Sequence, residues 1–339
     1  MTDLTAQLYD AWKQAVLVDK IVTLFETAQD DPNGRWAVGE QILFGVRWVE
    51  GATAYYAENL SRSQAIPGAV EEKPVGGFIC QFNGYRALRP GGGHRPLGRQ
   101  AGISAEPAQC RFYCQDRTHA LSLLNREPLL QVQLPHFTWN AYYNVAPLEK
   151  NGHFLWVPVD ATAARLFHAP QVLTLDFLED AIALSQRLDD TIIFFNALHA
   201  GASVNHIHVQ SIYQSQPLPI EAAPIAPYRQ HPLLADYPAQ GWAFARNAPV
   251  EPLFDCIERL QTAAIPLNLI LLGNRRVLVA RNPEHEIVSE FPGGVLAALD
   301  LCGKIITVDH QAYAQATPAS LSRAFLKTVL PARTLIASW

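Results

Sequence analysis

Antiparallel pairing is the strongest constraint this sequence places on its own fold, because two stretches read as β-hairpins. In the first, Phe137-Thr138-Trp139-Asn140-Ala141-Tyr142-Tyr143 and His153-Phe154-Leu155-Trp156-Val157 are aromatic and branched, as strands prefer, and a turn-rich segment from Asn144 to Gly152 joins them. In the second, Leu267 to Leu272 and Val277 to Ala280 flank Gly273-Asn274-Arg275-Arg276. Thr191 to Phe195 and Val204 to Tyr213 read as further buried strands, and Gly77 to Phe82 as a short one. Helical spacing joins Leu8, Trp12, Ala15 and Val16 until Asp30-Asp31-Pro32-Asn33-Gly34 breaks it. A second helix is predicted to start near Thr174, with Phe177, Ala181, Leu184 and Leu188 on one apolar face, and a third around Leu253 to Ala264. Hairpins and helices are mixed without regular strand–helix alternation, so the expected class is α+β, a largely antiparallel sheet with flanking helices.

Pro217, Pro219, Pro224, Pro227, Pro232 and Pro238 crowd one stretch, which reads as an extended connector over the surface. The expected organisation is a catalytic half over residues 1–214, a proline-rich connector over 215–240 and a smaller second half over 241–339.

A formal net charge of −5 offers no general attraction to nucleic acid or to an anionic membrane, so an anionic substrate has to be held by local donors. The cysteines Cys80, Cys110, Cys114, Cys256 and Cys302 are odd in number and scattered, unlike a secreted disulfide scaffold. Met1-Thr2-Asp3-Leu4 lacks the basic start of a signal peptide, and no apolar run approaches the ~20 residues that span a bilayer. A soluble, cytoplasmic protein is expected.

The segment Asn205-His206-Ile207-His208-Val209-Gln210 carries the chemistry. In an extended strand alternate side chains share a face, so His206, His208 and Gln210 stand together while Ile207 and Val209 point the other way. Neighbouring polar heads need partners, since unpaired buried polar groups are costly. Upstream, Gly201-Ala202-Ser203 supplies small residues that let backbone amides approach a ligand, and Asn196 closes the preceding apolar strand. An isolated histidine is usually structural; this ordered set favours a site.

Gly201-Ala202-Ser203, two residues, then His206-Ile207-His208-Val209-Gln210 resembles the branch of the histidine-triad superfamily in which glutamine replaces the third histidine. That branch holds the galactose-1-phosphate uridylyltransferases and dinucleoside-tetraphosphate phosphorylases. Extended to Ser211-Ile212-Tyr213, the motif is similar to the GDP-hexose phosphorylases, GDP-L-galactose and GDP-D-glucose phosphorylase. Gly77-Phe78-Ile79-Cys80-Gln81-Phe82-Asn83 with Arg86 and Arg89-Pro90 resembles that family's N-terminal signature. Asn144-Val145-Ala146-Pro147-Leu148-Glu149 with Gly152-His153 and Val157-Pro158 resembles its central hairpin. The likeness runs over roughly residues 75 to 280 and implies a histidine-triad-like (HIT-like) fold with a degenerate second half.

The resemblance implies that a nucleoside-diphosphate hexose and inorganic phosphate become a nucleoside diphosphate and a hexose 1-phosphate through a nucleotidyl-His208 intermediate. His208 attacks the α-phosphorus, Gln210 and Ser203 hold its oxygens, and His206 and His153 orient the site; Asn196, Gly201, Asn144, Arg86 and Arg89 complete the substrate-binding set. Imidazole is a good nucleophile near neutral pH, and a hexose 1-phosphate leaves readily as an anion. Glutamine donates hydrogen bonds to developing charge without competing for the proton. Arg86 and Arg89, in a glycine- and arginine-rich loop not expected to be regular, suit phosphate clamping.

No cofactor and no metal are expected. Cys110 and Cys114, with His153 and His206, have the ligand types of the zinc site some uridylyltransferases carry, but Cys-x-x-x-Cys is not the commonest spacing, and the cysteines read as small buried hydrophobes. Rival readings are a hexose-1-phosphate nucleotidylyltransferase, a dinucleoside polyphosphate phosphorylase and a non-catalytic nucleotide-binding regulator; the intact His208 and Gln210 argue against the last.

Overall fold

A computed structural model describes residues 3–18, 20–27, 30–31, 34–50, 52–68, 70–88, 110–118, 122–144, 147–149, 152–160, 165–166, 168–214, 216–291 and 295–339. Helix α1 (Leu4–Leu17) precedes a four-stranded antiparallel sheet of β1 (Val22–Glu26), β2 (Gln41–Val49), β3 (Ala52–Asn59) and β4 (Gln64–Ile66). A hairpin of β5 (Val70–Val75) and β6 (Phe78–Asn83) leads into the single turn α2 (Gly84–Ala87). Next come β7 (Leu130–Gln133), β8 (Thr138–Tyr143), β9 (His153–Asp160), β10 (Arg165–Leu166), α3 (Leu175–Arg187), β11 (Thr191–Asn196) and β12 (Val209–Tyr213). The chain continues through β13 (Ile225–Tyr228), β14 (His231–Leu234), β15 (Trp242–Ala245), α4 (Glu251–Thr262), β16 (Leu267–Leu271) and β17 (Arg275–Ala280). It ends with α5 (Ala298–Leu301), β18 (Lys304–Thr307), α6 (His310–Gln315), α7 (Pro318–Thr328) and α8 (Ala332–Ser338).

The main sheet runs β13-β14-β15-β17-β16-β11-β12-β9-β8-β7, with β10 pairing β9 off that path. Its two ends mirror each other. Three strands in meander, a helix and a hairpin (β7-β8-β9, α3, β11-β12) recur as β13-β14-β15, α4, β16-β17, and β11 joins β16 antiparallel with Asn196 opposite Asn268. The hairpins differ in one respect. Residues 272–274 suffice to connect β16 to β17, whereas residues 197–208 separate β11 from β12.

Both faces of the central strands are buried, which is why Ile192-Ile193-Phe194-Phe195 and Leu267 to Leu272 are nearly unbroken apolar runs. One face, with Ile193, Phe195, Leu269 and Leu271, packs against Leu8 and Trp12 of α1, Phe177 and Leu184 of α3, and Leu253 and Ile257 of α4. The other, with Ile192, Phe194, Ile270 and Val279, packs against a three-stranded sheet, β18-β6-β5, and Leu321 and Phe325 of α7. In that small sheet β18 runs parallel to β6. Beyond its reach, Cys110, Phe112, Cys114 and Leu123 cover Tyr142, Val157 and Val159. No helix among the described residues is long and apolar enough to cross a membrane.

The antiparallel α+β expectation holds, as do the Thr174 cap, whose side chain accepts from Phe177 N–H, and both hairpins. Three local expectations change. The strand expected from Val204 begins only at Val209, because His208 N–H turns to a side chain, Gln171, instead of a neighbouring strand. The proline-rich stretch is not a surface connector: it supplies β13 and β14 and buries Leu218, Ile220, Leu233 and Leu234. Its prolines are tolerated because Pro227 and Pro232 face each other in the outermost hairpin, where a missing N–H costs little. Arg86 lies on the capped turn α2 and not in an irregular loop: Asn83 Oδ1 accepts from Arg86 N–H.

Asp180 of α3 is wholly buried and accepts from His136 N–H and Phe137 N–H, each at 2.9 Å, and from Trp139 Nε1–H at 2.7 Å. It ties the β7–β8 turn to the helix. Asp180→Ala strands three donors, the buried Trp139 Nε1–H among them, and should cost about 2–4 kcal/mol, while Asp180→Asn, whose amide N–H would face a donor, should recover less than half of that. A denaturant midpoint that falls with an unchanged slope checks this; loss under about 1 kcal/mol for the alanine variant would show the tie to be dispensable.

Candidate active site

The loop between β11 and β12 brings His206, His208 and Gln210 to the sheet face that also carries His153, on β9. Alternation places Ile207 and Val209 in the core of the opposite face, as expected. His208 is 4% exposed, and its Nδ1 lies 2.7 Å from the carbonyl oxygen of His206. A carbonyl only accepts, so Nδ1 carries the hydrogen and the Nε2 lone pair is left free of it. Burial pushes the His208 pKa down to about 4, which keeps the ring neutral and its lone pair available near pH 7.

Gln171, a residue sequence reasoning missed, holds this segment in place. Its Oε1 accepts from His208 N–H at 2.9 Å, and its Nε2–H groups donate to His208 O at 3.1 Å and Asn196 O at 2.9 Å. Its own N–H donates to Asn205 Oδ1 at 2.9 Å. A buried carboxamide thus replaces a missing strand partner, and satisfies backbone groups that would otherwise be orphaned. One glutamine between Pro170 and Val172 carries no periodic signal that could have revealed this.

His153 is fully buried. Leu148 N–H donates to its Nδ1 at 3.0 Å, and its Nε2 lies 2.8 Å from Gln210 Oε1. Asn144 sits beside it: Asn144 N–H donates to His153 O at 2.8 Å, and Nδ2 lies 3.4 Å from His153 Nε2. So five of the expected residues fall into two adjoining groups: His208 bonded to the His206 carbonyl, and Gln210, His153 and Asn144 in contact with one another.

The others stand differently. Asn196 is buried, and its Oδ1 accepts from Asn268 Nδ2–H at 2.7 Å and Ala298 N–H at 3.1 Å. Asn268 Oδ1 accepts in turn from the buried Arg281, at 2.7 Å. Asn196 therefore ties the loop's start to the second unit. Gly201, at φ +98°, is required by close approach: a Cβ would meet Ala297 Cβ at 2.6 Å. The amides of this stretch were expected to face a ligand, yet Gly201 N–H donates to Glu286 Oε1 at 3.0 Å and Ala202 N–H to Ala197 O. Ser203 is exposed. Arg86 is half-buried on α2, near enough to Asp300 to hold down its carboxyl pKa, which burial raises to about 6. Arg89 lies outside the described residues, as do Gly91 to Arg95.

Close to His208, Cys110, Cys114, His168 and His206 place four potential ligand atoms within 4.8 Å of one another. Cys110 Sγ lies 3.3 Å from His206 Nδ1, Cys114 Sγ 3.2 Å from His168 Nδ1, and the two Nδ1 atoms are 3.3 Å apart. The edges of a tetrahedral zinc site with two sulfur and two nitrogen ligands are ~3.3–3.8 Å, so these donors fit zinc in type and spacing. His168 takes the place given to His153 at the sequence level. The cysteines are buried, as expected, but they face ring nitrogens as well as apolar side chains. Phe112 packs against both His206 and His208, with ring centroids 5.3 and 5.2 Å away.

No protein-family model matches the chain. It is 33% identical over 205 residues to GDP-D-glucose phosphorylase 1 of Homo sapiens, covering 59% of this chain and 49% of that protein. For GDP-D-glucose phosphorylase 1 of Bos taurus the identity is 36% over 204 residues, covering 58% and 49%. GDP-L-galactose phosphorylase 1 of Arabidopsis thaliana is 30% identical over 141 residues, 38% of this chain and 30% of that one. The chain thus matches about half the length of its mammalian relatives and less of the plant one. In three dimensions it resembles yeast Ap4A phosphorylase Apa2, crystallised with Ap4A, at a TM-score of 0.52 and 14% identity over 78% of this chain and 90% of that one. The α+β fold is HIT-like, and the chain is a homologue of the GDP-hexose phosphorylases.

Proposed function

We propose that this protein is a nucleoside-diphosphate-hexose phosphorylase, with GDP-hexose as the donor class. The observation that carries the reading is the neutral, buried His208 with its hydrogen fixed on Nδ1 by His206 O, two residues from a glutamine on the same face. In the first step Nε2 forms a bond to the α-phosphorus, the bond to the bridging oxygen breaks, and hexose 1-phosphate leaves with that electron pair. Because the second pKa of a phosphate ester is ~6, the leaving group needs no strong acid. The ring gains positive charge, which the hydrogen bond from Nδ1–H to the His206 carbonyl stabilises. In the second step a phosphate oxygen takes the phosphorus, the N–P bond breaks and its electrons return to Nε2, releasing the nucleoside diphosphate. Gln210 donates to the non-bridging oxygens. The first unit carries the nucleophile, and the second, through Asn268, Arg281 and Glu286, braces its loop. Five buried free cysteines support an intracellular setting.

We further propose that Cys110, Cys114, His168 and His206 hold a structural zinc ion. Four protein ligands close the site, so zinc would supply folding energy and would fix His206, whose carbonyl orients the nucleophile.

Donor offered without phosphate should leave one nucleoside monophosphate on the protein, seen as a mass increase and discharged as the diphosphate when phosphate is added. His208→Ala should abolish the adduct. Turnover by that variant would sink the assignment, and turnover of wild type without any adduct would mean direct displacement by phosphate. Elemental analysis of protein purified without chelator should find about one zinc per chain, lost in Cys110→Ser together with a fall in Tm. Zinc well under one equivalent, with Tm indifferent to chelator, would return the cysteines to a packing role.

A further inference from the structure

We propose that His153 is a positioning residue that dictates which end of the Gln210 carboxamide faces the reacting phosphate. The inference rests on the nucleotidyl-transfer reading and deepens it. The argument starts at a group with no freedom: a backbone N–H only donates, and that of Leu148 donates to His153 Nδ1 at 3.0 Å. Nδ1 therefore carries no hydrogen. A neutral imidazole bare at Nδ1 is protonated at Nε2, and Nε2 lies 2.8 Å from Gln210 Oε1. A ring N–H accepts no hydrogen bond, so the carboxamide has to present its oxygen there. Among the described residues Gln210 Nε2 has no protein partner, so both of its N–H donors remain for a ligand. Asn144 Nδ2, at 3.4 Å from the same ring nitrogen, is a donor facing a donor and is too distant to displace Gln210.

The orientation matters because phosphoryl oxygens are acceptors. With its nitrogen outward, Gln210 stabilises the negative charge that grows on them; with its oxygen outward, it repels that charge.

The aim of Leu148 is itself braced on both sides. Asn83 Nδ2–H donates to Pro147 O at 3.0 Å. Glu149 pairs with Lys304 of β18, which is 5% exposed and also lies 2.8 Å from Glu72. A relay thus runs from β6 and β18 through residues 147–149 and His153 to Gln210. It gives Asn83 of the N-terminal signature and Glu149 of the central hairpin a shared physical task.

The tautomer can be read without turnover. In the full chain labelled with ¹⁵N-histidine, the His153 ring, identified by its loss in His153→Gln, should show an unprotonated Nδ1 and a protonated Nε2. Kinetically, His153→Leu and Gln210→Ala should each lower kcat by a factor on the order of 10²–10³ with KM little changed. The double variant should then be no more than about twofold worse than the poorer single, because both remove one and the same donor. His153→Gln, whose amide nitrogen reaches the place of Nε2, should recover to within about tenfold of wild type. An Nδ1–H tautomer, or losses that multiply in the double variant, would overturn the inference. Should His153→Leu not fold, the tautomer and His153→Gln decide alone: less than tenfold recovery relative to Gln210→Ala overturns the proposal. A wild type that forms no nucleotidyl adduct removes the underlying reading while leaving the tautomer result standing.

Discussion

Everything in this molecule hangs on the pairing of β11 with β16. Neither unit alone covers its own innermost strand, and joining them antiparallel makes one sheet whose centre is buried on both faces. That burial leaves only apolar side chains at the positions where the two strands pair, with one exception. At the end of the pairing Asn196 and Asn268 stand opposite each other, Asn268 Nδ2–H donating to Asn196 Oδ1, and Arg281, just past β17, donates to Asn268 Oδ1. A polar knot at this point is tolerated because Asn196 Oδ1 and both Asn268 side-chain polar atoms are hydrogen-bonded. It fixes where β11 ends, and therefore where the loop to β12 begins.

The same logic repeats along that loop. A segment that leaves a sheet within a buried setting has to satisfy its backbone by other means. Here Gln171 bonds the backbone of Asn196 and His208, Glu286 takes the Gly201 amide, and His206 offers its carbonyl to the His208 ring. Rigidity of the site thus follows from polar satisfaction. The corresponding turn of the second unit, residues 272–274, is too short to need or to hold such an apparatus, which leaves that unit a supporting role.

How much was legible in the sequence depended on whether the signal was local. Periodicity revealed α1 and α3, strand-forming residues around turn-rich segments revealed both hairpins, and alternation revealed the sorting of His206, His208 and Gln210 from Ile207 and Val209. The first sheet escaped notice, although Gln41 to Val49 is strand-rich, and the proline-rich stretch was misjudged because proline signals a break in any strand except an edge. The zinc-like cluster was half-visible. Cys110, Cys114 and His206 stood out by type, but His168 is brought to them only by the chain's passage past Ala169, whose carbonyl accepts from Ile207 N–H.

Which polar residue types share one face of the segment from His206 to Gln210, and in what order, was determined by the sequence itself, since the alternation of extended backbone follows from its geometry alone. Which hydrogen-bond state each of those residues adopts was decided by the tertiary structure. The His208 hydrogen is placed by a carbonyl two residues away, but the Gln210 amide is turned by His153, which is set by Leu148, which is held by Asn83 and Lys304. Proton positions answer to neighbours in space, and the spacing of residues along the chain carries no record of them.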